Sequence, residues 1–251
     1  MTGRDDVTNA EENYLGAWRL LVEASNGGTV EETDDVLFTV TPAPIAFFNS
    51  AFVKPPADPL SCLAAVTSFY REREKPFTIR FRDSQEAAAA CQQAGLVPAG
   101  STPLMNVSTS EVTGPHGVEV RQVDSDSWDD HLSAIASGFG MPPTLVGGMF
   151  GRSLLEAPHY AAFNAYLDGE VASTAALIVT PGVAGIYNVA TVEAFRNRGL
   201  GDATTRAAVV EGGRRGCPTA TLQSSEMGFS VYERMGFRTV ATWTSLTGGV
   251  S

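Results

Sequence analysis

Apolar positions along this chain change period repeatedly, and the changes mark out its elements. Asn13 to Glu23 carries apolar residues at Tyr14, Leu15, Trp18, Leu21 and Val22, a spacing that gathers them on one helical face. β-Branched and aromatic runs at Asp35 to Val40 and Ile45 to Val53 predict strands, with Pro42 and Pro44 breaking the run between them. A helix follows from Pro59 to Arg73, a strand from Phe77 to Phe81, and a helix from the Ser84 N-cap to Gln93, stopped by Gly95. Leu104 to Val107 is one more strand. Ser108 to His116, rich in Thr, Ser, Gly and Pro, is the linker, and Gly117 to Val123 opens a fresh strand. Ser127 or Asp126 caps a helix over Trp128 to Ala136. Tyr160 to Leu167 and Val171 to Val179 form a hairpin through Asp168-Gly169. Ile186 to Val192 is a buried strand, followed by a turn bracketed by Gly199 and Gly201 and the helical run DATTRAAVVEGGRR. Thr219 to Ser224 then reads as a strand, Met227 to Met235 as a short helix ended by Gly236-Phe237, and Arg238 to Ser245 as a returning strand.

The first half reads as a worn copy of the second. A slide of 141 positions puts Ile186 on Ile45, Leu222 on Phe81 and Gly236 on Gly95. It also puts Arg196 to Gly201 on PPADPL, where prolines supply no N–H donors, and Tyr232 on Cys91, which has no hydroxyl. A fortuitous alternation of strands and helices is the competing reading. The division expected is a domain over 1–110 and another over 117–251.

Composition narrows the setting. A chain of 251 residues holds one to two domains, and 43% hydrophobic against 18% charged residues permits a sizeable core. No run reaches the roughly 18 apolar residues of a membrane span. The opening MTGRDDVTNAEEN is acidic and has no apolar core, unlike a secretory signal or an Arg-rich transit peptide, so the expected location is cytoplasmic. Cys62, Cys91 and Cys217 are odd in number and unpaired in spacing, which argues for buried hydrophobes rather than disulfides or zinc; His116, His131 and His159 are isolated, and no metal is expected. The net charge of -11 is uneven. Residues 1–35 hold nine acids against Arg4 and Arg19, whereas Arg196, Arg198, Arg206, Arg214 and Arg215 outweigh Asp202 and Glu211. The expectation is a positive patch on an acidic protein, suited to a small anion and not to a nucleic-acid backbone.

The arginines sit on the strand, glycine loop and helix formed by GIYNVATVEAFRNRGLG and its continuation. Such a unit aims unpaired backbone N–H groups and the helix dipole at one point, an arrangement suited to a phosphate. No Lys follows Gly201, which excludes a Walker loop, and Thr204 stands where the dinucleotide fingerprint needs its third glycine. What remains, Arg196-x-x-Gly199-x-Gly201 after the strand Asn188-Val189-Ala190-Thr191, resembles the pyrophosphate loop of the GCN5-related N-acetyltransferases (GNAT). Downstream, Gly228, Val231, Tyr232, Gly236 and Phe237 match that superfamily's Ala-x-x-Phe-Tyr and Gly-Phe, with Gly228 replacing the usual Ala and Ser225 the frequent Asn. The resemblance covers roughly Val118 to Ser251.

The resemblance implies a mixed α/β sheet of the GNAT fold, in tandem with a degenerate first half. It also implies direct acetyl transfer from acetyl-CoA to an amine acceptor, a small molecule or a protein. In the family the fourth and fifth core strands splay apart. Val189, Ala190 and Thr191 would then meet the pantetheine arm, while Arg196, Asn197, Arg198, Gly199, Leu200, Gly201 and Asp202 wrap the pyrophosphate, with glycine at 199 and 201 leaving room for the anion. Tyr232 is the implied hydrogen-bond donor to the departing sulfur, and Ser225 stands ready to bond pantetheine or acceptor. The family's strand glutamate, a general base, is replaced by Asn188; Glu193 and Glu226 are read as solvated. Gly138 to Ala157 lies where the family covers its acceptor site, and its glycines and methionines suit either a lid or a loosely packed core helix. A non-catalytic acyl-CoA-binding module is the alternative; an aminoacyl transferase would need a basic face for tRNA that the acidic first half does not offer. The acceptor is not named by these residues, and a homodimer stays open.

Overall fold

The computed structural model describes residues 4–249. Its elements in chain order are α1 (Arg4–Glu23), β1 (Thr29–Glu32), β2 (Val36–Val40), β3 (Ser50–Val53), α2 (Pro59–Glu72), β4 (Phe77–Arg82), α3 (Gln85–Gln93) and β5 (Val97–Ser108), then β6 (Glu119–Gln122), α4 (Trp128–Phe139), α5 (Pro143–Met149), β7 (Tyr160–Leu167), β8 (Glu170–Thr180), β9 (Val183–Thr191), α6 (Leu200–Arg214), β10 (Thr219–Gln223), α7 (Glu226–Arg234) and β11 (Arg238–Gly248). Several boundaries differ from the periodicity, each for a local reason. α1 starts at Arg4, ahead of its apolar stripe. The run from Ile45 divides into a 3-10 turn at Ala46–Phe48 and β3, because buried Asn49 accepts from Thr41 N–H at 2.8 Å and donates to the Ala43 carbonyl at 3.0 Å. Ser127 stands at the N-cap of α4 without a side-chain capping bond: its hydroxyl donates to Asp124 Oδ1 at 2.7 Å, and that carboxylate, held below its usual pKa by the bonds from Ser127, also accepts from the N–H groups of Asp126 and Ser127 just ahead of the helix. Gly138 to Ala157 folds into α5 and a 3-10 turn at Arg152–Glu156, with Val146, Met149, Phe150 and Leu154 buried.

The chain forms two compact units. The larger takes the described residues up to Ala17 together with Leu104–Val240, and the smaller takes Trp18–Pro103 and the described residues from Ala241 onward. In the larger, strands lie in the order β5-β10-β9-β8-β7-β6; β6 to β9 are antiparallel neighbours, β9 and β10 are parallel, and β5 is antiparallel to β10. In the smaller the order is β1-β2-β3-β4-β11, with β3 and β4 as the parallel pair and β11 antiparallel to β4. Each sheet is finished by the strand that ends the other repeat. Contiguous segments over 1–110 and 117–251 therefore do not coincide with the compact units.

The repeat is structural. α2 and α6, α3 and α7, and β5 and β11 all begin 141 residues apart. Even the caps agree: Ser84 and Ser225 each accept from the N–H three residues on, at 3.2 Å. Upstream the offset fails, because Ser50 pairs with Thr78 as Val183 pairs with Thr219, a shift of 133. The match of Ile45 to Ile186 is thus corrected; from the start of its first parallel strand to the next helix the second copy is eight residues longer, five of them extending β9 beyond the length of β3 and three lengthening the loop before α6.

Core packing follows the apolar faces. The larger unit buries Met105, Leu177, Ile186, Val209, Leu222 and Phe237 between its sheet and α6 and α7. Full burial of such side chains contributes about 1.5–3 kcal/mol each. On the other side, Asn13 of α1 donates to the Ile178 carbonyl at 3.0 Å and Thr180 Oγ1 at 2.9 Å, and accepts from the Tyr187 hydroxyl at 2.7 Å. A Cβ at Gly185 would collide with Asn13 and the Tyr187 ring, so glycine admits the helix. α4 is tied down by a buried chain in which Tyr160 O–H donates to His131 Nε2 at 3.1 Å, His131 Nδ1–H to Thr174 Oγ1 at 2.6 Å, and Thr174 to the Phe163 carbonyl at 3.1 Å. Burial pushes His131 down to about 3, so the imidazole is neutral. The smaller unit packs Phe38, Val66, Tyr70, Ile79, Phe81 and Leu246, and buries Arg80 among Trp18, Phe47 and Phe52 with bonds to the Ser50 and Ser245 hydroxyls. All three cysteines are free and buried, their thiols pushed up by burial.

Candidate active site

β9 and β10 part company midway. Their parallel ladder runs from Val183 and Thr219 to its last pair, Ile186 with Leu222, and β9 then continues to Thr191 paired only with β8. Against β8 the register slips: Thr174 faces Ala190 and Ala176 faces Tyr187, so Asn188 and Val189 together oppose Ala175. This is a β-bulge, which bends and twists its strand, and Asn188 sits on it with φ 51°. Val189, Ala190 and Thr191 consequently lie on a strand edge that β10 leaves free. The stretch is held from behind. Ser173 Oγ donates to the Ala190 carbonyl at 3.0 Å and lies 2.9 Å from Thr191 Oγ1. α4 presses so close that a Cβ on Gly138 would come within 2.8 Å of Ala190 Cβ.

The loop beyond Thr191 makes a 3-10 turn at Glu193–Phe195, extends at Arg196, turns left-handed at Asn197 (φ 63°) and again at Gly199 (φ 75°), and enters α6 at Leu200. The N–H groups of the first helical turn, on Leu200, Gly201 and Asp202, have no intrahelical acceptor. The two glycines serve different ends. At 199 the backbone conformation itself favours glycine, and a Cβ would meet open space. At 201 a Cβ would lie 3.2 Å from Thr191 Oγ1, so there glycine keeps the helix start clear of the strand.

Charge at the loop is sparser than the count of arginines suggested. Arg206 pairs with Asp202 at 2.7 Å, while Arg214 and Arg215 pair with Glu211 at 3.8 and 2.9 Å. The last two stand at the far end of α6, about 20 Å away at 1.5 Å per residue. The five-arginine patch is therefore corrected to Arg196 and Arg198. Arg196 Nη2 donates to the Gly138 carbonyl at 2.9 Å and ties the loop to α4; Arg198 is exposed, its guanidinium 5.8 Å from the Phe195 ring centre.

Tyr232 and Ser225 both belong to α7. Tyr232 is buried, edge-on to Phe237 with centroids 5.9 Å apart, and burial pushes its phenol up to about 12 while the Thr205 hydroxyl draws it slightly back. The two hydroxyls are neighbours without closing a regular hydrogen bond; Thr205 Oγ1 is buried and has no partner. Gly228 explains itself here, since a Cβ would lie 2.8 Å from the Tyr232 ring. Ser225 Oγ is the N-cap of α7, accepting from Gly228 N–H. Two further groups flank the parting of the strands: the side-chain amide nitrogens of Asn188 and Gln223 are buried and without partners. Sequence reading passed over Gln223, because a polar residue at a strand end looks solvated.

The first copy lacks this arrangement. β3 has no bulge, and the Asp58 carboxylate accepts from Leu60 and Ser61 N–H at 3.1 and 3.3 Å, filling the helix terminus with the chain's own anion. Among the described residues, no cluster of His, Cys, Asp or Glu has the form of a metal site, and no helix is long and apolar enough to cross a membrane.

Parallel strands that part over a bulge, a glycine loop entering a helix, and a buried tyrosine on the following helix thus occur together in the larger unit. Residues 126–237 match the family described as "Acetyltransferase (GNAT) family", so this part of the chain is a GNAT domain, and the first half is GNAT-like in structure. No curated protein matches the sequence. Among solved structures, the GCN5-related N-acetyltransferase from Kribbella flavida is 18% identical, with 96% of each chain covered and a TM-score of 0.71. The GCN5-related N-acetyltransferase from Sphaerobacter thermophilus is 17% identical over 88% of this chain and 82% of its own, with a TM-score of 0.63. A tandem GNAT protein from the clavulanic acid biosynthesis pathway is 12% identical over 100% of this chain and 97% of its own, with a TM-score of 0.59. At these identities the likeness is one of fold.

Proposed function

We propose that the larger unit transfers an acetyl group from acetyl-CoA directly to an amine, and that the smaller unit is scaffold without a cofactor site of its own. The observation that carries this reading is the free edge of β9 beside the glycine loop. An extended amide-bearing arm suits the main chain of Val189, Ala190 and Thr191, and a pyrophosphate suits the N–H groups from Arg196 to Asp202 together with Arg198. Acetyl-CoA supplies an activated thioester; the chain's own residues position it and manage protons. Tyr232 stabilises the departing sulfur by a hydrogen bond and does not transfer its proton. With a phenol near 12 and a thiol near 8.5, full transfer would be uphill by about 5 kcal/mol. Asn188 is no base, so the acceptor's ammonium loses its proton to water. Ser225 serves the site by capping the helix that carries Tyr232. We place the reaction in the cytoplasm, with a small-molecule or protein amine as acceptor and neither nucleic acid nor membrane as partner.

The alternative, a non-catalytic acyl-CoA-binding module, is favoured by the lack of a carboxylate at Asn188. Free thiol release from acetyl-CoA with a panel of amines, alongside thermal shift with the cofactor alone, separates the two. Ligand at about 100 times its Kd stabilises the folded state by about 2.7 kcal/mol. A shift with amine-dependent release supports the transferase; a shift without release favours the module, and no shift refutes both.

A further inference from the structure

Asn188 and Gln223 carry two unexplained features of this site. Asn188 is one of four non-glycine residues at positive φ among those described, and its Nδ2 is buried with no acceptor. Gln223 is the first β10 residue past the last rung shared with β9, and Asn188 is the second β9 residue past it, so the two flank the opening. Gln223 lies near enough to Tyr187 to lower its phenol slightly against burial, yet Nε2 closes no regular hydrogen bond, and the Tyr187 hydroxyl is spent on Asn13. A buried amide nitrogen without an acceptor is destabilising, and so is an asparagine held left-handed. Both penalties fall where the strands separate.

We infer that Asn188 and Gln223 form a donor pair for a carbonyl or carboxylate oxygen of the acceptor, so that the substrate is an amine bearing such an oxygen close to its nitrogen, as an amino acid or amino-acid amide does. Neutral amide donors satisfy a carboxylate or a carbonyl alike, and they offer no charge partner to a polycation. An oxygen seated between them anchors the acceptor at the mouth of the opening, and the neighbouring amine then faces the thioester. The inference rests on the transferase reading for its chemistry, but binding alone also tests it.

The full chain is given matched acceptors differing only in that oxygen: glycinamide against methylamine, and phenylalanine and phenylalaninamide against phenethylamine. kcat/KM with acetyl-CoA is measured for the wild type, Gln223→Leu and Asn188→Gly, and acceptor binding in the presence of CoA is followed by calorimetry. Dividing each selectivity ratio by that of the variant cancels the amines' intrinsic reactivities. The expected result is at least a tenfold preference for the oxygen-bearing member, reduced toward unity in both variants. Because leucine removes an orphan donor and glycine accepts φ 51°, both variants should melt no lower than the wild type, a combination that a merely structural role would not give. Turnover without preference overturns the inference and leaves the transferase standing. A binding preference lost in the variants, without turnover, upholds the inference and removes the transferase; neither turnover nor binding refutes both. A stronger preference for the carboxylate than for the amide names the amino acid, and the reverse names the amide.

Discussion

The buried His131 should make this protein lose stability as pH falls through a range in which most carboxylates are still ionised. Its imidazole is neutral because burial drives the pKa down from 6.5 to about 3, and Tyr160 and Thr174 use both ring nitrogens. An unfolded chain takes up a proton at this histidine below about pH 6.5, whereas the folded chain does not until about pH 3. Stability from this group is therefore fully present above pH 6.5 and is lost progressively on acidification, at up to about 1.4 kcal/mol per pH unit. Between pH 7.5 and 5.5 the loss is about 1.4 kcal/mol, and it approaches about 5 kcal/mol near pH 3. Urea unfolding at pH 7.5, 6.5 and 5.5 reads it directly. His131→Gln can replace a donor and an acceptor but does not titrate, so its stability should vary less over the same range whatever its absolute value. Parallel pH profiles for the two proteins would show that His131 is not buried in its neutral form.

Three further outcomes follow from the site. Tyr232→Phe should lower kcat by roughly 10- to 100-fold, the worth of a hydrogen bond to a developing charge, with acetyl-CoA affinity nearly unchanged; equal turnover would leave Tyr232 a packing residue. Gly228→Ala, although it restores the usual family residue, should destabilise by about 1–3 kcal/mol or displace the Tyr232 ring, and denaturant unfolding beside steady-state kinetics distinguishes the two. Asp58→Ala should cost about 1 kcal/mol through lost capping of α2 and leave the thermal shift with acetyl-CoA unaltered; a change in that shift would mean that the first copy takes part in binding.

What the sequence revealed was local. Helix starts at Pro59 and near Leu200, the cap at Ser84 and the turn at Gly199 follow from nearest neighbours, and the slide of 141 holds wherever such punctuation is dense; the capping role of Ser225 emerged only in the structure. The arginine patch misled because charges were counted by position. Asp202 with Arg206 and Glu211 with Arg215 stand four apart on one helix, a spacing at which opposite charges pair. The interleaving of the units was out of reach, since the apolar pattern of β5 or β11 suits either repeat's sheet and nothing local selects between them. Gln223 was hidden for a related reason: whether a strand's last amide meets water or another strand depends on where the neighbouring strand stops.

The exchange of final strands also dictates an order of events during synthesis. β4 waits for β11, and the Arg80 bond to Ser245 spans 165 positions; β10, in turn, closes on β5, with Thr221 reaching back 116 positions to Met105. The first repeat, though translated before the second, cannot finish its own sheet until the second repeat has been made, because the strand that closes it comes last in that repeat. Domain-by-domain maturation is thereby forbidden, and a nascent first half must persist with an open edge until the second emerges. Rare codons or a pause within the linker would lengthen that exposure without changing one residue of the finished protein.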